Sequence, residues 1–269
     1  MKKLPALPYV VWMAIFVVTP LVLVVVYAFT NADGAFTLSN FEHAENYVSV
    51  FVRSLTLALI ATVICLILGY PLALALSREG EKFQKIAMML IMLPMWMNFL
   101  LRTYAWMTIL ENTGILNSLL EAVHLPPLKI INTPAAVVLG MVYNYLPFMV
   151  LPIYSGIVKI DPNVINAAQD LGADGYRVFT KILVPLSLPG VLSGVTMTFV
   201  PSVSTFVISK LLGGGKDMLL GDLIEMQFLG STYNPQLGSA ISLVMMVLIL
   251  ILMSLMNKFG GGEEDAVLL

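Results

Sequence analysis

Few residues in this 269-residue sequence are equipped to make or break bonds. The two histidines, His43 and His124, have no partner at metal-ligand spacing, and neither an H-E-x-x-H nor a G-x-S-x-G pattern occurs. Gly213-Gly214-Gly215-Lys216 looks like a phosphate loop but lacks the earlier glycine and the following Ser or Thr, so it reads as an outer turn. The single cysteine, Cys65, sits in an apolar run, which excludes an internal disulfide and reads as packing. No catalysis, metal or cofactor bound by this chain is expected. What remains is the chemistry of charge. Trp96, Tyr104, Trp106, Tyr143 and Tyr145 could line a path for ammonium groups, because aromatic faces attract them and tolerate their methylene spacers. The same aromatics near span ends would also serve as interfacial anchors. Glu111, Asp222 and Glu225 could supply counter-charge, and Asp222 and Glu225 are the preferred pair because positions i and i+3 share a helical face. Arg102 lies within an apolar run, where a charge has functional standing by default. Three readings stay open for it: snorkelling toward headgroups, neutralising a nearby acid, or holding a gate closed.

The elements that must position these residues are set by composition. Hydrophobic residues make up 59% and charged residues 11%, against roughly 25% charged in soluble domains. Mean hydropathy is +0.91, so the chain belongs in lipid. Net charge is −2, with no basic excess to suggest nucleic acid. A span needs about 20 largely apolar residues. Charge-free stretches run between Lys3 and Asp33, Arg53 and Arg78, Lys129 and Lys159, Lys181 and Lys210, and Glu225 and Lys258. A sixth, between Lys85 and Glu111, is interrupted only by Arg102. The expected fold is an all-α integral membrane protein with six transmembrane helices near 8–29, 54–77, 86–110, 135–158, 186–208 and 237–257. The first could be a cleaved signal, but its apolar run exceeds the usual roughly 7–15 residues and no small-x-small site follows, so it is read as retained. One transmembrane domain is expected over 1–259, with a flexible tail at 260–269.

Orientation follows the basic residues, which stay on the cytoplasmic side of short loops. With the N-terminus inside, Lys2, Lys3, Arg78, Lys82, Lys85, Lys159, Arg177, Lys181 and Lys258 are cytoplasmic, and Arg53, Lys129, Lys210 and Lys216 are outside. Nine against four favours an N-in/C-in arrangement. The outer loops are then net acidic and would draw a cation, although an acidic exterior also follows from keeping bases inside.

The inner connection between the fourth and fifth spans, 159–185, reads as ordered helix. Asp161 can cap a first turn that Pro162 opens without wasting a donor. Gly172 can end that helix in a left-handed turn, after which Tyr176, Phe179, Ile182 and Leu183 recur at helical spacing. In the fifth span Pro185, Pro189, Gly190, Gly194 and Pro201 predict a bendable helix. Gly190-x-x-x-Gly194 offers a smooth strip for helix contact, of which packing within one bundle is the plainer use.

Asn166-Ala167-Ala168, Gly172, Ile182 and Pro185 at this spacing resemble the EAA loop of binding-protein-dependent ABC importer permeases. Asn166 stands where that family usually has Glu, and Val184 where it usually has Leu. Ser54–Arg78 with Gly69-Tyr70-Pro71-Leu72-Ala73, Leu101-Arg102-Thr103-Tyr104-Ala105-Trp106 with Gly114 and Asn117, and Tyr143-Asn144-Tyr145-Leu146-Pro147 are similar to the spermidine/putrescine permease subfamily. The resemblance implies a multi-pass protein of the plasma or inner membrane. Its loop 159–185 would be a coupling helix, with Asn166, Ala167, Ala168, Gly172, Ile182 and Pro185 meeting a separate cytoplasmic ATPase. It implies as partners a second, similar permease, two ATPase copies holding ATP and Mg, and an extracytoplasmic binding protein that delivers polyamine. A permease for another small solute is the neighbouring alternative. An ion-coupled secondary transporter is the more distant one, since no span carries an acid near its centre.

Overall fold

A computed structural model of the chain describes residues 7–215, 218–230 and 232–259. The expectations for Lys2, Lys3, Lys216, Asp217 and the tail 260–269 lie outside the described residues. Helices α1 (Pro8–Ala28), α3 (Val48–Ser77), α7 (Pro134–Val158), α9 (Gly175–Ser204) and α12 (Pro235–Phe259) are the long apolar ones. Shorter helices α2 (Ser39–Glu45), α4 (Glu81–Trp96), α5 (Phe99–Leu110), α6 (Ile115–Ala122), α8 (Pro162–Asp170), α10 (Val207–Leu212) and α11 (Leu220–Leu229) lie between them. Apart from one isolated bridge, Thr30–Phe36, the described residues are helix, turn and loop. Five helices are long and apolar enough to cross a membrane, or six if a bent pair counts as one.

That bent pair corrects the third expected span. Instead of one helix over 86–110, α4 ends at Trp96 and the chain turns by 91° before continuing from Phe99. Pro94 lies in the last turn of α4, and Met97 is extended at ψ 149°. Asn98 then restarts the helix, its side chain accepting from the N–H of Leu100 at 2.8 Å and of Leu101 at 3.3 Å. Hydropathy detects length and charge, and this break contains neither signal. The second span begins at Val48 and not at 54, because Arg53 is carried within the helix. The fifth ends at Ser204: Thr205 is extended at ψ 140°, and α10 follows as a separate piece.

Proline also explains two local distortions. Wide π-type turns occur at Ala14–Val18 and Phe179–Leu183, just before Pro20 and Pro185. Proline lacks an N–H and its ring crowds the preceding turn, so the helix accommodates it by widening there. In the first case Thr19 Oγ1 donates to the Ala14 carbonyl at 2.9 Å.

The bundle is built around α3, α7 and α9, which pack on one another. Cys65, Ala73, Met149 and Ile153 join α3 to α7, with Met88 and Ile91 of α4 against them. Leu110, Met141, Ile208 and Leu212 join α5, α7 and α10. Ala58, Val203, Leu223 and Ile241 join α3, α9, α11 and α12. The Gly190–Gly194 strip is used inside the chain. A Cβ on Gly190 would meet the Pro152 carbonyl oxygen at 2.6 Å, and one on Gly194 would meet that of Met149 at 3.0 Å. α1 packs along α12, while its first half is exposed.

Candidate functional site

The connection from α7 to α9 is positioned by its own caps. The Asp161 carboxylate accepts from the Asn163 N–H at 2.9 Å, and Pro162 occupies the first turn of α8. Gly172 has φ +82°, the left-handed conformation that releases the helix into a turn, and its N–H donates to the Gln169 carbonyl at 2.9 Å. Ala173 N–H closes back on the Ala168 carbonyl at 2.9 Å. Asp174 starts α9 by accepting from the Arg177 N–H at 2.9 Å. Asn166 and Ala167 are exposed on α8 and Ala168 is half-buried, while Ile182 is half-buried and Pro185 exposed where α9 enters the bundle. Two larger residues stand beside them: Leu171, which the sequence did not single out, and Tyr176, expected only as part of the helical repeat after Gly172. Leu171 is 90% exposed and Tyr176 75%, so the elbow presents an apolar knob on each side of Gly172. Their signal was an apolar residue on each side of a turn glycine, and only coordinates reveal that neither is buried.

This elbow is tied firmly to the bundle. Beside it, Tyr70 of α3 meets Phe179 edge-on at 5.7 Å, and its hydroxyl lies 2.9 Å from Ser187 Oγ of α9. Tyr154 of α7 donates to Gln84 Oε1 of α4 at 2.7 Å. The Gly190 contact lies one turn beyond Ser187. A displacement of α9 at the elbow therefore reaches α3 and α7 through short polar and backbone contacts.

The charge-handling residues are divided among three places. α5 and α7 bring four of them together. Trp106 and Tyr143 pack at 5.2 Å between ring centroids and 65° between planes. Tyr145 is buried, and its hydroxyl faces the Pro201 carbonyl at 3.4 Å. Arg102 is only 8% exposed, with its guanidinium carbon 6.0 Å from the Phe99 ring. The helix it sits on restarts at Asn98 and carries it back against α7, away from the end of a straight span. Trp96 and Tyr104 lie outside this group, exposed at 74% and 47%. Glu111 is also apart, exposed at the end of α5, where its carbonyl accepts from the Gly114 N–H at 2.8 Å.

Asp222 and Glu225 face α10 together. Asp222 is buried, and its Oδ2 accepts from the Leu219 N–H at 2.9 Å, capping α11. Burial pushes the Asp222 carboxyl above the ordinary range, opposed by that N–H, by the Ser209 hydroxyl and by the Lys210 charge, with Glu225 adding to the rise. Glu225 is ion-paired with Lys210. Lys210 was not among the expected site residues, yet it pairs with Glu225 and its charge acts on Asp222. The Gly213–Gly215 turn is built on left-handed Gly214 and Gly215, and a Cβ on Gly214 would strike Asn132 Oδ1 at 2.2 Å. Its shape serves packing against Asn132.

Comparison with known proteins adds an independent observation. The family described as binding-protein-dependent transport system inner membrane component matches residues 66–260. The spermidine/putrescine transport system permease protein PotB of Haemophilus influenzae is 38% identical over 251 residues, covering 90% of this chain and 87% of the relative. PotB of Escherichia coli is 37% identical, covering 88% and 89%. Among solved structures, a bacterial ABC transporter involved in import of the acidic polysaccharide alginate superposes with a TM-score of 0.80 at 17% identity, over 94% of this chain and 92% of that one. The MetNI methionine ABC transporter, in an inward-facing conformation, gives 0.55 at 17%, over 79% and 92%. At that identity the two structures speak for the fold alone.

Proposed function

The chain belongs to the binding-protein-dependent transport system inner membrane components, and from that premise we propose that it is a PotB-like permease subunit of an ATP-driven polyamine importer. The observation that carries this reading is 38% identity over 90% of the chain to a spermidine/putrescine permease. The residues are consistent with it. The chain offers aromatic faces and acids suited to ammonium groups, and no acid at the centre of a span with which to couple an ion gradient.

In the proposed arrangement the chain lies N-in/C-in as a single domain over 1–259 and is itself non-catalytic. α8 is the coupling helix. Asn166, Ala167, Ala168 and Gly172 form the surface that meets a separate ATPase, with Leu171 and Tyr176 as anchoring knobs, and Ile182 and Pro185 seat α9 at the membrane. ATP and Mg²⁺ belong to the ATPase, two copies of which would serve this chain and a second, similar permease. An extracytoplasmic binding protein would deliver the polyamine. Closure of the ATPase pair then moves α8 and α9, and the Tyr70–Ser187 and Gly190–Pro152 contacts carry that motion into α3 and α7. Trp106, Tyr143 and Tyr145, with Trp96 and Tyr104 beyond them, would line the cargo's route, with Glu111, Asp222 and Glu225 supplying negative charge. Lys210 keeps Glu225 compensated while no cation is present.

The test is reconstitution in proteoliposomes with the second permease, the ATPase and the binding protein. ATP hydrolysis and spermidine uptake should both rise when the binding protein is loaded. ATP hydrolysis by this chain alone would end the proposal, as would uptake driven by an ion gradient without ATP.

A further inference from the structure

Arg102 carries a charge that the chain does not balance. Its Nε and Nη1 are sealed from solvent with no hydrogen-bond partner, and it makes no ion pair among the described residues. Nη2 is not among the sealed atoms, so the guanidinium reaches the surface at one corner. A guanidinium cannot discard its proton to escape burial. An uncompensated buried charge is expensive, which is why removing one member of a buried pair is strongly destabilising.

The depth of the site narrows what could balance it. Arg102 lies one helical turn before Trp106, whose ring packs on Tyr143 in the interior of α7, with Pro134 and Val158 as that helix's ends. At 1.5 Å per residue, those ends are about 13–23 Å from Tyr143. That is far from lipid phosphates and from bulk anions. The fold offers no internal acid either. Asp222 and Glu225 are turned to Lys210, and Glu111 is exposed at the other end of α5. The cargo proposed above is itself cationic. Trp96, Met97, Leu101 and Tyr104 are exposed on α5 and in the break before it, an aromatic and aliphatic surface open to a second membrane protein.

We infer that Arg102 is completed by a carboxylate of the second permease, inserted at mid-membrane against α5 so that it reaches the guanidinium by way of Nη2. This rests on the importer reading, since it requires a second membrane subunit. A carboxylate entering there can bridge to a neighbouring guanidinium nitrogen, forming a charge-assisted pair shielded from water. The two permeases would thereby be fixed in register beside the Trp106–Tyr143 pair.

The experiment uses the assembled complex in membranes. With Arg102→Lys in this chain, a membrane-permeant carbodiimide should join the new amine to an Asp or Glu of the second permease, read as a crosslinked peptide by mass spectrometry. Arg102→Gln should remove that peptide. It should also lower the second permease retained through detergent purification by about tenfold, the size of a coupling of about 1.4 kcal/mol. Neutralising the crosslinked carboxylate together with Arg102→Gln should restore retention. An intact complex whose crosslink runs to this chain's own acids, to lipid, or nowhere overturns the pairing and leaves the importer reading standing. A chain that purifies with no second permease overturns both.

Discussion

Gly172→Ala isolates the backbone of the proposed coupling elbow from its contacts. Gly172 holds φ +82°, and a Cβ built there meets nothing within 4 Å of this chain. The penalty for alanine is therefore conformational, about 1–2 kcal/mol for an L-residue in the left-handed region. An asparagine at the same place pays less, because it enters that region readily. Since about 1.4 kcal/mol is a factor of ten, Gly172→Ala should depopulate the competent elbow about tenfold. The assay is ATP hydrolysis stimulated by the loaded binding protein in the reconstituted complex. Stimulation should fall by roughly that factor for Ala and recover substantially for Asn, with basal hydrolysis by the ATPase unchanged. Equal activity for Ala, Asn and wild type would refute the claim that the turn must be left-handed to couple. Equal loss for Ala and Asn would show that the glycine matters through close approach of the ATPase and not through φ.

Gly190→Ala should destabilise the bundle by about 1–3 kcal/mol, because the added methyl meets the Pro152 carbonyl at 2.6 Å and forces α7 and α9 apart; thermal unfolding in detergent would read the loss. Asn98→Ala removes the cap that restarts the helix after the 91° turn, and should cost about 1 kcal/mol in the same measurement. Asp222→Asn keeps an acceptor for the Leu219 N–H but relieves a carboxylate whose Oδ1 is buried and unpartnered, so the protein should be as stable or more so while spermidine uptake falls. Unchanged uptake would remove Asp222 from the cargo's route. Leu171→Ala with Tyr176→Ala should leave folding intact, since both side chains are exposed, yet weaken ATPase retention in co-purification.

What the sequence disclosed was local chemistry, and what it hid was three-dimensional neighbourhood. The elbow was readable because Asp161, Pro162 and Gly172 each act on backbone within a few residues. Five spans followed from the distances between charges, and the sixth stands only if the bent pair counts as one. The 91° turn escaped because Met97 and Asn98 add no charge to the apolar run, although an asparagine followed by helix formers after Pro94 was a usable sign. Snorkelling was one of three readings left open for Arg102, and its burial on α5 could not be read from an apolar run that it alone interrupts. The acidic pair was found without Lys210, since no spacing rule links α10 to α11.

The backbone contact between Gly190 and Pro152 leaves no side chain in between to compress or rotate. Helices touching in that way pass a push on with little loss at the point of contact, so α7 and α9 are expected to move together there. Compliance is expected where the ladder of hydrogen bonds is interrupted, and outside the packed lengths of α7 and α9 that means Met97 and Thr205. In the proposed importer those two joints, and not the lever itself, would decide how wide the passage opens.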